Sequence, residues 1–271
     1  MEKGTVWVIG GSSGLGLATA KAFAADGWLV ISGARSFHAD NQEGPVHELH
    51  LDVTDRQSRA AFVRDALLLS PQVNVLVYCA AILILSPCEF TAADEYDRVM
   101  QTNFLGMTDF VAQVMPKMRL QNGGKIVLFS SINGLLGIPF QSAYVASKHA
   151  VEGYAECLAM ECEGTGIQVS VVEPGDHRGG SQRCRLSASV AENSPYSRSF
   201  ATVIAKIRSD EAHGLSPSKL AAKVVRNVNR KRMRYRLRIA TADQKTGVVL
   251  HDALPSKMNM RVLRSYYGKK G

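Results

Sequence analysis

Few of the devices that hold extracellular or metal-dependent proteins together occur in this chain. Its five cysteines (Cys79, Cys88, Cys157, Cys162, Cys184) are odd in number and none pairs with another in C-x-x-C spacing. They read as reduced core or surface thiols, not as a disulfide frame or a zinc site. Seven scattered histidines include no H-E-x-x-H pattern, so a catalytic metal finds no support. The longest apolar run, Val75 to Leu85, is too short to cross a bilayer. Internal repeats, low-complexity tracts and linker-like breaks in composition are lacking as well. The opening stretch MEKGTVWVIG enters an apolar strand without a basic region, hydrophobic region and cleavage site before it. The expectation is one soluble, cytoplasmic domain over residues 1–271, whose 46% hydrophobic content can bury a large α/β core.

What is present is an alternation of strand and helix signals. Val6 to Ile9 is an apolar strand, followed by Gly10-Gly11-Ser12-Ser13-Gly14-Leu15-Gly16 and a helix over Leu17 to Ala25. A glycine-rich turn from strand to helix lets the backbone approach a pyrophosphate, whose charge the helix N-terminus favours. Gly10, Ser12 and Gly14 also satisfy G-x-S-x-G, the nucleophile elbow of hydrolases. That rival needs an acid and a histidine in order downstream and normally follows several strands, whereas here the motif closes the first one. Trp28 to Gly33 is the second strand and runs into Ala34-Arg35-Ser36. An acid there would bind the ribose of NAD; an arginine can pair with the 2′-phosphate of NADP. Arg35 thus argues for NADP, the plain alternative being a surface arginine.

Val46 to Leu51 is the third strand, ahead of Asp52-Val53 and a helix over Asp55 to Leu69. Val73 to Cys79 is the fourth, apolar throughout as strands buried on both faces are. Asp94 to Leu120 suits one long helix containing Asn103, which by itself reads as a buried amide satisfied by backbone. Lys125 to Ser130 and Ile167 to Val172 are further strands, separated by a helix over Ala143 to Glu163 and closed by Glu173-Pro174-Gly175. This order implies a doubly wound parallel sheet of about seven strands with helices on both faces, binding its ligand beyond the carboxyl ends of the strands.

Tyr144 and Lys148 fall one turn apart on the same helix face. A free tyrosine titrates near ~10, and a cation within ~4–6 Å favours the phenolate and lowers that value by ~1–3 units, towards the range where acid–base catalysis is efficient. Lys148 can supply the cation. Ser131, arriving from the end of the Lys125 to Phe129 run, can hold a substrate oxygen beside the phenol. Alone, Y-x-x-x-K is common on helices and reads as structural; its meaning comes from the other motifs.

The glycine turn, Asp52, Asn103, Ser131, Tyr144, Lys148 and Pro174-Gly175, in this order and spacing, resemble the short-chain dehydrogenase/reductase family of single Rossmann domains, over Val6 to Gly175. The resemblance implies an NADP(H)-dependent oxidoreductase acting on a small carbonyl or alcohol. Tyr144 would be its general acid or base and Ser131 would orient the substrate oxygen. Lys148 would bind the nicotinamide ribose and lower the Tyr144 pKa, and Asn103 would hold a water extending a proton relay. Gly10, Ser12, Ser13, Gly14, Leu15 and Gly16 would bind the pyrophosphate, Arg35 the 2′-phosphate and Asp52 the adenine, with Val53, Ala80, Pro174 and Gly175 also against the cofactor. The wording of Gly137 to Glu156 and Leu254-Pro255 is similar to the 17β-hydroxysteroid and retinol dehydrogenase-like branch, implying an apolar substrate. A homo-oligomer, dimer or tetramer, is implied too. Three positions depart from the family pattern near the cofactor: Ile9, Tyr78-Cys79-Ala80-Ala81 and Gly179. They leave open a second class, a catalytically silent dinucleotide-binding sensor or scaffold.

Residues 176–216 would form a substrate lid and 241–271 a C-terminal helical extension. The lid is polar and expected to be mobile; Arg178, Arg183 and Arg185 could meet an anionic substrate but read better as solvated, and His177 reads as a loop-surface residue. Arg226 to Arg238 supplies much of the net charge of +8. Arg234, Arg236 and Arg238 alternate with Tyr235, Leu237 and Ile239, as in an edge strand with one wet, charged face. That reading is preferred to an acidic membrane surface, and to nucleic acid, for which no recognition motif exists.

Overall fold

A computed structural model describes residues 3–37, 44–179, 185–188 and 190–268. Strand β1 (Thr5–Ile9), helix α1 (Gly14–Ala25), β2 (Leu29–Ala34), β3 (Val46–His50), α2 (Arg56–Leu69) and β4 (Val75–Tyr78) form one half. After a short β5 (Leu83–Leu85) come α3 (Ala93–Met100), α4 (Gly106–Leu120), β6 (Gly124–Phe129), α5 (Ser142–Glu161) and β7 (Ile167–Pro174). The chain ends with β8 (Arg185–Ser187), α6 (Ser197–Ala212), α7 (Pro217–Val228), β9 (Arg236–Ile239), α8 (Ala242–Ala253) and α9 (Ser256–Gly268). Seven strands make one sheet in the order β3-β2-β1-β4-β6-β7-β9, every pair parallel. The order reverses between β1 and β4, the point where ligands enter such sheets.

Apolar strands form here because alternate side chains bury on opposite faces. Trp7 and Ile9 of β1, Leu76 and Tyr78 of β4 and Ile126 and Leu128 of β6 pack with Phe62, Phe110 and Val151 from α2, α4 and α5. Val6, Val8, Val75, Val77 and Val127 point the other way, onto Phe23 of α1 and Leu220, Val224 and Val228 of α7. Helices on both faces thus follow from strands with no polar face. Among the described residues no helix is long and apolar enough to cross a membrane.

Three expectations need correction. The single helix over Asp94 to Leu120 is instead α3 and α4 joined by a π-helical turn at Gln101–Leu105. Tyr78 donates its hydroxyl to Thr102 O (2.7 Å), and Gly106 sits so close that a Cβ there would lie 2.6 Å from Val53 O. The helix widens where this buried tyrosine needs an acceptor. Second, the described part of the lid is not polar throughout: α6 buries Val203, Ile204 and Ile207 against Leu83 and Leu85, while β5 and β8 pair as a separate small parallel sheet. Third, β9 is an edge strand as expected, but its arginines, which stay partly exposed, are ion-paired and not merely solvated. Arg236 pairs with both Glu152 (3.0 Å) and Glu173, and Arg238 donates to Glu173 (2.6 Å), whose side chain is 0% exposed. Two carboxylates reaching the edge from α5 and β7 hold the cations that the alternation left outward.

Candidate active site

The first βα turn is built for close approach. Gly10 has φ +90°, and a Cβ there would lie 2.6 Å from Ala80 N; one on Gly16 would overlap the Gly10 carbonyl. Ser13 begins α1 in extended conformation without a side-chain cap, and no acid stands in the first turn. The amides at that N-terminus therefore face a space that suits an anion. Such a cradle fits the pyrophosphate of a dinucleotide. Arg35 and Ser36, just past β2, and Val53, past β3, border the same space.

That space is one end of a cavity of about 510 Å³, within the range of ~300–1,000 Å³ usual for small-molecule sites. Its lining brings together Gly10, Ser12, Ser13, Gly14, Leu15 and Gly16 with Arg35, Val53, Ala80, Pro174 and Gly175, and with Ser131, Tyr144 and Lys148. Ser131 caps a short 3₁₀ turn (Ile132–Gly134), accepting from Asn133 N at 3.1 Å. Lys148 is only 2% exposed; its ammonium donates to Phe129 O (2.7 Å) and stands 5.6 Å from the centroid of the Tyr144 ring. The one-turn spacing therefore places a cation beside the phenol, with a hydroxyl from the end of β6 in the same cavity.

Asp52 and Asn103 stand apart from the lining. The Asp52 carboxylate accepts from Thr54 N (2.9 Å) and Thr54 Oγ1 (2.7 Å). Burial acts to raise its pKa, but those bonds, with Arg35 and His50 nearby, hold it below the ordinary aspartate value. Asn103 lies in the π turn and is satisfied on both sides: Oδ1 accepts from Ile82 N (2.8 Å), and Nδ2 donates to Ile82 O (3.0 Å) and Ser147 Oγ (2.9 Å). Through Ile82 and Ser147 it ties the floor of the cavity to α5. Of the departing positions, Ile9 and Tyr78 are core residues, whereas Cys79 lines the cavity, its thiol pushed up by burial.

The far end of the cavity holds residues that local patterns did not indicate: Asp176, Asp210, Glu211, Ile207, Leu186 and Tyr267. Burial, reinforced by Asp210 and Glu211, pushes the Asp176 carboxyl up to about 7, although it accepts a bond from Gln244. His177 also lines the cavity, so it is not a loop-surface residue; burial pulls its pKa down. Arg185 pairs with Glu211 and Arg178 donates to Gly214 O (3.2 Å), so these arginines serve the lid itself. Arg183 and Cys184 lie outside the described residues. The only sequence signal for this end was position: Asp176 directly follows the Pro-Gly pair.

Comparison with known proteins agrees with this geometry. The profile described as short chain dehydrogenase matches residues 4–183. A 3-ketodihydrosphingosine reductase of Bacteroides thetaiotaomicron is 33% identical over 98% of this chain and 99% of its own length. A dehydrogenase/reductase SDR family member 7B of Bos taurus is 31% identical over 94% of this chain and 76% of its own. The crystal structure of a short-chain dehydrogenase from Streptomyces avermitilis superposes with a TM-score of 0.82 at 26% identity, covering 96% of each chain. With a glycine-rich turn at the switch point and Ser131, Tyr144 and Lys148 in one cavity, the chain belongs to the short-chain dehydrogenase/reductase family of oxidoreductases, which bind a nicotinamide dinucleotide and act on small molecules.

Proposed function

We propose that this protein is an NADP(H)-dependent oxidoreductase that interconverts a carbonyl and a secondary alcohol on an apolar substrate. The observation that carries the reading is the single cavity running from Arg35 past Tyr144 to Leu186, Ile207 and Tyr267. A bound nicotinamide dinucleotide supplies or accepts the hydride. Arg35 pairs with its 2′-phosphate, the turn from Gly10 to Gly16 cradles the pyrophosphate, and Asp52 lies on the adenine side. Tyr144 gives its phenolic proton to the carbonyl oxygen in reduction and takes it back in oxidation. Lys148 stabilises the phenolate that this transfer leaves, and Ser131 donates to the same oxygen. Asn103 acts by fixing Ile82 and Ser147 around these groups.

Support for a ketone substrate comes from the Bacteroides relative, named as a 3-ketodihydrosphingosine reductase. Leu186, Ile207 and Tyr267 at the far end of the cavity suit an apolar part of such a substrate, and Asp176, Asp210 and Glu211 beside them suit a polar group on it. The 17β-hydroxysteroid and retinol dehydrogenase-like branch points to apolar substrates as well. In this reading residues 176–216 are the substrate lid, 241–271 a C-terminal extension, and the protein a cytoplasmic dimer or tetramer. A silent sensor has less support, since a binding module needs no proton donor beside a buried lysine.

Parallel fluorescence titrations with NADPH and NADH test the cofactor. Arg35→Ala should weaken NADPH selectively, by at least about tenfold for the loss of a charge-assisted pair. Equal weakening of both nucleotides would remove Arg35 from the phosphate site. Tyr144→Phe should lower kcat for ketone reduction by about 10²–10⁴ with NADPH affinity retained. Substantial remaining turnover would refute the proton-donor role.

A further inference from the structure

The C-terminal helix α9 presents two flanks to solvent. Its inner side, Leu263 and Tyr267, packs on Ile132, Leu136, Ile138 and Val248. At 3.6 residues per turn, Met258, Val262 and Tyr266 form an outer row at i, i+4 and i+8, while Lys257, Arg261 and Arg264 form another at i, i+4 and i+7. Met258 is 50% exposed and Val262 43%, and the three cations are exposed as well. None of these cations forms an ion pair among the described residues. From Ser256 to Gly271 the sequence has no acid and adds Lys269 and Lys270. This basic surface differs from β9, whose arginines are held by Glu152 and Glu173.

A mainly apolar groove runs between α6 and α9, lined by Ala205, Val262, Tyr266 and Tyr267 together with Thr202, Ser265 and Lys206, whose ammonium lies over the Tyr266 ring and pairs with Asp210. Tyr267 also lines the catalytic cavity, so the groove leads from the exposed row to the cavity wall. An apolar row covered by a second copy of this chain would leave like charges facing one another. An anionic lipid surface covers both rows: apolar side chains sink to the acyl boundary while lysine and arginine reach phosphates.

We propose that α9 docks the protein on the surface of an anionic lipid bilayer, with the α6–α9 groove opening towards the lipid. The full chain should sediment with vesicles of phosphatidylcholine containing roughly a third phosphatidylglycerol, but weakly with phosphatidylcholine alone. Raising salt to about 0.5 M, where the screening length falls to only a few ångströms, should release most of it. Arg261→Glu with Arg264→Glu should lower the partition coefficient more than about tenfold, at roughly fivefold per basic residue lost. Met258→Asp with Val262→Asp should reduce binding to both vesicle types. Leu120→Asp, at an exposed leucine on α4, should leave binding unchanged. Unchanged circular dichroism of each variant separates docking from folding.

Equal sedimentation with both vesicle types, or no loss in the charge-reversed variant, would overturn the proposal. So would the absence of vesicle binding together with a dimer that Met258→Asp and Val262→Asp dissociate, which assigns the face to a second copy. The assay contains neither nucleotide nor substrate, so it stands or fails independently of the oxidoreductase reading.

Discussion

Removing the Arg236 guanidinium strands a carboxylate that the edge strand exists to neutralise. In Arg236→Met the aliphatic stem stays, but Glu152 loses its cation and Glu173 keeps only Arg238. Breaking a buried ion pair from one side costs ~3–5 kcal/mol, and because the Arg236 side chain is about a third exposed, about 2–3 kcal/mol is expected. The cost depends on pH. Burial already raises the Glu152 pKa above its ordinary 4.5, helped by the Glu173 charge, while the Ser130 hydroxyl and Arg236 oppose the rise. Without Arg236 the folded-state value climbs further, so the native form holds a proton that the unfolded chain gives up. The deficit is then small below the unfolded pKa and grows as pH rises to the folded one, by about 1.4 kcal/mol for each pH step of one between the two values. Urea unfolding followed by circular dichroism at about pH 5 and about pH 8 measures it directly. The variant should lose more stability at the higher pH, and Glu152→Gln in the same background should recover most of the loss. An equal deficit at both pH values, or no recovery, would refute the reasoning.

Asp176 has a folded-state pKa of about 7 against an ordinary 3.8, so its ionisation destabilises the fold increasingly as pH rises through that interval. Asp176→Asn keeps a partner for Gln244 and should therefore be more stable than the parent at about pH 8, on the order of 2–4 kcal/mol, with the gain vanishing below about pH 4. A gain independent of pH in denaturant titrations would mean that packing, not charge, is responsible. Gly16→Ala places a methyl against the Gly10 carbonyl, so the turn must shift. Nucleotide affinity by fluorescence titration should fall by at least about tenfold with the fold intact; an unchanged Kd would show that the cradle is not where the dinucleotide binds.

The sequence by itself determined whatever depends on a few consecutive residues. Apolar runs bounded by turns announced the sheet, because a strand buried on both faces admits no polar position. The glycine turn was legible because close backbone approach leaves no room for a Cβ, and the Tyr144–Lys148 pair because 3.6 residues per turn brings i and i+4 together. Tertiary structure decided what those rules cannot reach. Arg236 and Arg238 look solvated from alternation alone, but their partners, Glu152 and Glu173, lie more than sixty residues earlier. The helix break at Gln101–Leu105 depends on the hydroxyl of Tyr78, which arrives from another strand. Asp176, Asp210, Glu211 and Tyr267 meet at one end of the cavity only because α6 and α9 pack against each other beside the residues that follow β7. Local propensity carries no information about such pairings; they are set by which surfaces burial brings face to face.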